Sequence, residues 1–169
     1  MTPDTLSSRR AVRDRLATLV DTAPSLVGTG VFARRRLKSG MIVGEILGEV
    51  CDEHPADPSY CMELPSGRVL EPGAPLRFLN HSCDPNCELF YWFEEGGPTV
   101  EDRLWLQTVR DIEPGEELLI DYCWPAEAAI RCQCGAANCR GWVVDPDEIH
   151  LVKGGQACTE ETPPAGDAG

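Results

Sequence analysis

The chain has 169 residues and a mass of 18.5 kDa, 42% hydrophobic and 25% charged, which suits one domain of ordinary size, and a second catalytic domain within it is not expected. Fifteen basic residues against 28 acidic ones give a net charge of −13, a field that repels phosphate backbones and draws in cationic partners, so no direct nucleic-acid binding is expected. No run of about 18 apolar residues is present and the opening MTPDTLSSRR lacks the apolar core of a secretory signal, so the expectation is a soluble intracellular protein with no membrane contact, cytoplasmic, or nuclear in a eukaryotic cell.

Residues 1–24 read as an N-terminal helix. Val12, Leu16, Leu19 and Val20 recur at helical spacing, Arg9, Arg10, Arg13 and Arg15 take the rest of the surface, and Pro24 supplies the stop. Asp4, Asp14 and Asp21 spoil the pattern of an organellar transit peptide, which leaves a docking or capping helix. From residue 26 to 123, clusters of Gly, Pro, Asp and Asn break the chain every ~8 to 12 residues, between short runs rich in Val, Ile, Leu and aromatics. That texture is β. The clearest strands are 31–33, 41–47, 60–64, 89–93, 104–109 and 118–120. EEGGPTVED at 94–102 is expected as the exposed tip of a hairpin joining LFYWF to LWLQTV. Leu37, Gly40 and Val43 share the spacing of Ile112, Gly115 and Leu118, an echo that the sequence alone leaves as coincidence. Pro114 followed by Gly115 suits a type II turn. The small, polar, Pro-rich tail from Gln156 is expected to be disordered.

Nine cysteines, an odd number without an export signal, argue against a complete disulfide framework and turn attention to metal. In RCQCGAANCRGW, Cys132, Cys134 and Cys139 form a C-x-C-x4-C cluster, with Gly135 and Gly141 allowing the chain to wrap tightly. Three such thiolates favour a soft or borderline metal, and zinc would need a fourth ligand from elsewhere. RFLNHSCDPNC, from Arg77 to Cys87, packs a cation, an amide, an imidazole and two thiols beside a Pro-containing turn. A His next to an Asn is, taken alone, more often a structural pair than a catalytic one. DIEPGEELLIDYCW closes a hydrophobic strand with an Asp-Tyr pair, and Tyr122 by itself reads as an aromatic at a core edge.

In order, the G-x-G of Gly28 to Gly30, IVGEILGEV, RFLNHSCDPNC, GEELLIDY and the C-x-C-x4-C cluster resemble the SET-domain protein lysine methyltransferases with a post-SET zinc-binding cysteine segment. The resemblance runs from about Leu26 to Val144. It implies a mainly β fold of small sheets, with a pseudoknot-like threading that brings the NHSC and DY segments into one site. It divides the chain into an N-terminal helix (1–24), a SET domain (25–125), a post-SET zinc segment (126–145) and a partly disordered C-terminal tail (146–169). The implied cofactors are S-adenosylmethionine and Zn2+. Val27, Gly28, Thr29, Gly30, Arg77, Asn80, His81 and Tyr122 are the implied contacts to S-adenosylmethionine, with Tyr60 as a further one and Trp142 as a cover over cofactor or lysine channel. Cys83 is implied as the fourth zinc ligand beside Cys132, Cys134 and Cys139, with Cys87 a nearby rival. Tyr122 is the implied catalytic residue, aligning nitrogen and methyl.

The implied activity is methyl transfer to the side-chain amine of a lysine in a protein, and the acidic balance suits a basic, histone-like protein or peptide. Two positions depart from the family's pattern. Ile46 stands in EILGE where many members have Tyr, and Ile120 precedes Asp121 where Phe or Tyr is common. These losses support an alternative, an inactive cofactor-binding or scaffolding SET module, against which the retained Asn80, His81 and Tyr122 speak.

Overall fold

The computed structural model describes residues 3–53, 55, 59–91 and 102–155. The chain opens with α1 (Pro3–Leu19) and continues through β1 (Val20–Pro24), β2 (Thr29–Ala33), β3 (Ile42–Glu45), β4 (Gly48–Cys51), β5 (Met62–Glu63) and β6 (Val69–Pro72). After a 3-10 turn (Leu76–Phe78) come β7 (Asn80–His81), β8 (Cys87–Tyr91), β9 (Leu104–Thr108), β10 (Leu119–Ile120), β11 (Ile130–Arg131), β12 (Trp142–Val143) and α2 (Ile149–Gly155), with further 3-10 turns at Ala126–Ala128 and Pro146–Glu148. The described strands form two three-stranded sheets, β3-β9-β8 and β4-β6-β5, and three pairs, β1-β2, β7-β10 and β11-β12. The mainly β expectation holds, and no described helix is long and apolar enough to cross a membrane.

The N-terminal helix is shorter than the 1–24 expected. It stops at Leu19, and residues 20–24 instead pair antiparallel with β2, from Val20 opposite Ala33 to Pro24 opposite Thr29. Tertiary pairing outweighs the helical spacing of Val20, whose buried side chain serves the strand as well as it would have served a helix. Arg34 closes the helix, its backbone N–H donating to Leu19 O and its guanidinium to Ala17 O, two of the carbonyls a helix end leaves unpaired. Leu16 and Leu19 are buried as their spacing requires. Leu16 sits against Gly44 of β3, where a Cβ would lie 3.0 Å from Leu16 Cδ2.

The echo of Leu37-Gly40-Val43 in Ile112-Gly115-Leu118 is structural. Leu37 and Ile112 form an antiparallel bridge, each N–H donating to the other's carbonyl at 2.9 Å. Gly40 N donates to Thr108 O at 2.8 Å and Gly115 N to Ala33 O at 2.7 Å, so each turn is tied to the strand that leads into the other. Both glycines have positive φ, 74° and 84°, and Gly115 occupies the third position of a turn closed by Glu116 N donating to Glu113 O, as the Pro-Gly pair predicts. Leu37, Val43, Ile112 and Leu118 are fully buried and join Val31, Leu104 and Leu106 in the main core.

Strands β8 and β9 pair antiparallel from Cys87 opposite Thr108 to Tyr91 opposite Leu104, the two arms of the expected hairpin. Its tip at 94–102 and the tail from Gln156 lie almost entirely outside the described residues. Strands β4 and β6 carry no strong sequence signal. Gly48 is required there because a Cβ would fall 2.1 Å from Glu71 O on the paired strand.

Candidate active site

The short parallel ladder β7-β10 sets Asn80 opposite Leu119 and His81 opposite Ile120. Ser82 N donates to Ile120 O at 2.9 Å and Asn86 N to Leu119 O at 3.2 Å, so residues 119–120 run inside the loop formed by 80–87. This is the knot-like crossing that the resemblance implies. Asn86, fully buried, locks it: its Nδ2 donates to Glu117 O at 2.7 Å and its Oδ1 accepts from Leu119 N at 2.8 Å, so the buried amide is satisfied on both sides.

The crossing places Tyr122 on the wall of a cavity of about 610 Å³. Its hydroxyl donates to Leu79 O at 2.7 Å, and burial, then Tyr60 and Glu117, push its pKa up to about 12. Tyr60 and Arg77 share this cavity, with the guanidinium 4.0 Å above the Tyr60 ring and paired to Glu71 at 3.0 Å. Two further aromatics in the cavity wall, Tyr91 and Trp124, escape the motif-based reading of the sequence; Trp124 stands 5.3 Å from the Tyr122 ring. Alternation along β8 would have placed Leu89 and Tyr91 on one face, and both line the cavity.

A second cluster adjoins the first. Asn80 Nδ2 donates to Thr29 O at 3.1 Å, which joins the NHSC segment to the β1-β2 hairpin. Val27 and Gly28 lie at the hairpin tip, Val27 exposed and Gly28 at φ 69°. Val27, Gly28, Thr29, Gly30, Asn80 and His81 are thus not among the residues lining the cavity itself. Tyr122 N donates to His81 Nδ1 at 3.2 Å, so that nitrogen is an acceptor and the proton of a neutral ring sits on Nε2, 3.4 Å from Cys83 Sγ. Burial lowers the His81 pKa, against a smaller opposing effect of Asp121, and favours that neutral form.

Cys83, Cys132, Cys134 and Cys139 converge, their sulfurs all within 4.8 Å of one another. Cys83 Sγ lies 3.8 Å from Cys132 Sγ and 3.9 Å from Cys139 Sγ, close to the ~3.8 Å edge of a tetrahedron with Zn–S bonds of about 2.3 Å. Backbone N–H groups of Cys134, Gly141 and Arg140 point at the sulfurs of Cys132, Cys139 and Cys83 at 3.3 to 3.4 Å, as thiolate ligands require. The four residues therefore fit a zinc ion. Cys87 is no rival: it is buried in the main core, and burial pushes its thiol up to about 12.

Arg140 ties this segment to the Asp-Tyr pair. Nη1 and Nη2 each meet a different oxygen of Asp121 at 2.8 Å, and Nη2 also donates to Val144 O. The two side chains are only 16% and 17% exposed, so Arg140→Ala leaves a carboxylate poorly solvated. Denaturant unfolding of that variant is expected to show a loss of about 2 kcal/mol, with Arg140→Lys recovering only part because an ammonium has no fork. An unshifted midpoint would remove the clamp. Trp142 does not cover the cavity as expected. It packs with Val144 and Val152 in a small separate core, under the Arg131 guanidinium at 4.1 Å.

The SET domain family model matches residues 28–123, more than half of the chain, and the chain belongs to that family. Histone-lysine N-methyltransferase Set2 of Drosophila melanogaster is 35% identical over 133 residues, 69% of this chain and 6% of the fly protein. Histone-lysine N-methyltransferase SETD2 of Mus musculus is 30% identical over 175 residues, 94% of this chain and 7% of the mouse protein. The crystal structure of KRYPTONITE in complex with mCHH DNA, H3(1-15) peptide and SAH matches with a TM-score of 0.64 at 25% identity, over 73% of this chain and 29% of that one. The chain thus spans less than a tenth of the length of these two curated relatives.

Proposed function

We propose that this SET domain transfers a methyl group from S-adenosylmethionine to the side-chain amine of a lysine in a basic, histone-like protein. The observation that carries the reading is the ladder of β7 with β10, which brings Asn80 and His81 beside Tyr122, whose side chain lines the cavity. S-adenosylmethionine supplies an electrophilic methyl on a sulfonium, and an amine can displace it in line. The protein's part is to bind, align and exclude water. Arg77 stacked on Tyr60 offers one wall of the cavity, and the Thr29–Gly30 edge with Asn80 and His81, next to the cavity, offers a second contact surface for the cofactor. The Tyr122 hydroxyl, its proton committed to Leu79 O, keeps lone pairs that accept from an amine N–H and so orient the nitrogen. As a phenol titrating near 12 it is no base at neutral pH, and the lysine proton leaves to water. Desolvation beside a cation disfavours the lysine's charged form, which assists that loss. Cys83, Cys132, Cys134 and Cys139 would hold zinc with a full set of four thiolates, so its chemistry would be structural, tying the segment that follows Trp124 to the NHSC segment. Trp124, Pro125 and Ala128 line the cavity.

Ile46 is buried in the main core and is not a cavity wall, so its departure from the family pattern removes no side chain that this cavity uses; Tyr60, Tyr91, Tyr122 and Trp124 supply its aromatic walls. That weakens the scaffolding alternative. Ile120 does line the cavity, and its aliphatic side chain fills less of it than the Phe or Tyr common in the family would. Di- or trimethylated product is expected from the wild type, and Ile120→Phe should shift it toward fewer methyls by filling that space. Intact-mass analysis of a methylated peptide decides, with thermal unfolding to confirm that the larger side chain, expected to cost about 1–3 kcal/mol in a packed position, still folds.

The net charge of −13 favours encounter with Lys- and Arg-rich segments and not with DNA. In a eukaryotic cell a histone substrate would put the working protein at chromatin. Incubation with methyl-labelled S-adenosylmethionine and a mixture of histones and other basic proteins, followed by mass spectrometry of the labelled band, tests the activity. Cofactor binding without transfer to any of them would favour the scaffold.

A further inference from the structure

The Asn80 amide is held from two sides by oxygens. Nδ2 donates to Thr29 O at 3.1 Å and to Glu117 Oε1 at 2.8 Å, a carbonyl and a carboxylate that can only accept. A flipped amide would set Oδ1 against both, so the orientation is determined by chemistry. Both N–H bonds are then used. Oδ1 remains, meets no protein donor among the described residues, and is free to accept from water or from a ligand.

Glu117 does more than orient that amide. Its other oxygen, Oε2, accepts from Ser25 Oγ at 2.7 Å, and its backbone bridges to Phe32. Oε1 also lies where residue 30 would carry a side chain: a Cβ on Gly30 would come within 2.1 Å of it. One carboxylate therefore spans the Ser25 end of the β1-β2 hairpin, the Thr29–Gly30 edge and the NHSC segment. The Gly at position 30 is what lets it lie there.

We propose that Glu117 is a positioning residue for cofactor binding: it holds Asn80 with Oδ1 outward, as the acceptor for the α-ammonium of S-adenosylmethionine, the one cationic donor that molecule has. This rests on the cofactor reading given above. Glu117 touches no ligand itself; it acts through Asn80 and through the hairpin edge.

The test is calorimetric binding of two ligands to the full chain. S-adenosylhomocysteine carries the ammonium, whereas 5′-methylthioadenosine has the nucleoside and the sulfur but no amino-acid part. Glu117→Ala is expected to weaken S-adenosylhomocysteine about tenfold to hundredfold and to leave methylthioadenosine within about threefold. Glu117→Gln should restore most of the loss, because its carbonyl accepts from Asn80 while its amide donates to Ser25 Oγ, which reverses role. Gly30→Ala, which drives a Cβ into the carboxylate's place, should reproduce the selective loss and serves if Glu117→Ala does not fold. Equal losses for both ligands, no loss in either variant, or a Gln no better than Ala overturns the positioning role. Wild-type protein that binds neither ligand overturns the cofactor reading itself, and with it this one.

Discussion

Replacing Tyr122 by Phe is expected to slow methyl transfer about 10- to 1000-fold, a loss of ~1.4 to 4 kcal/mol of transition-state stabilisation, while cofactor affinity changes far less. The substitution removes one oxygen and nothing else of the ring, so the stack on Trp124 at 5.3 Å and the contact with His81 at 5.4 Å survive. Two hydrogen-bonding roles go with that oxygen. Leu79 O, in a buried residue, loses the donor it has at 2.7 Å, which costs on the order of 1 kcal/mol of stability. The larger effect is kinetic, because an amine with no acceptor to direct it spends little time with its lone pair aligned to the methyl. Single-turnover rates measured at saturating cofactor isolate the step. Turnover of Tyr122→Phe at the wild-type rate would show that the hydroxyl does not align the amine.

Removing zinc by chelation, or replacing Cys83 by Ser, is expected to free the segment from Ala126 to α2 while the β3-β9-β8 sheet stays folded. The reason is the disparity of the two cores. The main one gathers buried side chains from α1 through β10, whereas the C-terminal one has, among the described residues, only Trp142, Val144 and Val152 buried at its centre. Three such residues with a two-residue ladder, β11-β12, cannot offset the entropy of ordering some 25 residues. Four thiolates on zinc would supply the difference, on the order of 10 kcal/mol in small zinc modules. Hydrogen exchange should show the amides of 130–144 losing protection on chelation and those of 104–108 keeping it. Because Trp124, Pro125 and Ala128 line the cavity, cofactor affinity should fall with that protection. A metal-stripped protein with unchanged exchange and full affinity would mean the cysteines hold nothing that matters to the site.

The residue types that chemistry demands are legible in the sequence itself. Three cysteines within eight residues announce a metal, and a fourth in NHSC is supplied by resemblance; the sulfurs do converge. Strands β2, β3, β8 and β9 follow from short apolar runs between turn residues, and the Pro114-Gly115 turn from the φ preferences of its two residues. These signals are local. Their cause lies within a few residues of their effect, so a linear reading finds them.

What the tertiary structure alone decided is every choice made by a distant partner. Residues 20–24 become a strand because β2 is there to pair with them, against a helical spacing that continued through Val20. The apolar run 118–120 announces one strand of the parallel ladder, but its pairing with 80–81 has no local sequence signature, yet that pairing builds the site. Trp142 goes into the small core, and it is Trp124 that takes a place on the cavity wall. Asp121 with Arg140, and Glu117 with Asn80 and Gly30, are ordinary charges and an ordinary glycine until folding sets them within reach of one another. Pairing and packing energies depend on which residues meet across the fold, and that is a property of the assembled chain rather than of any stretch of it.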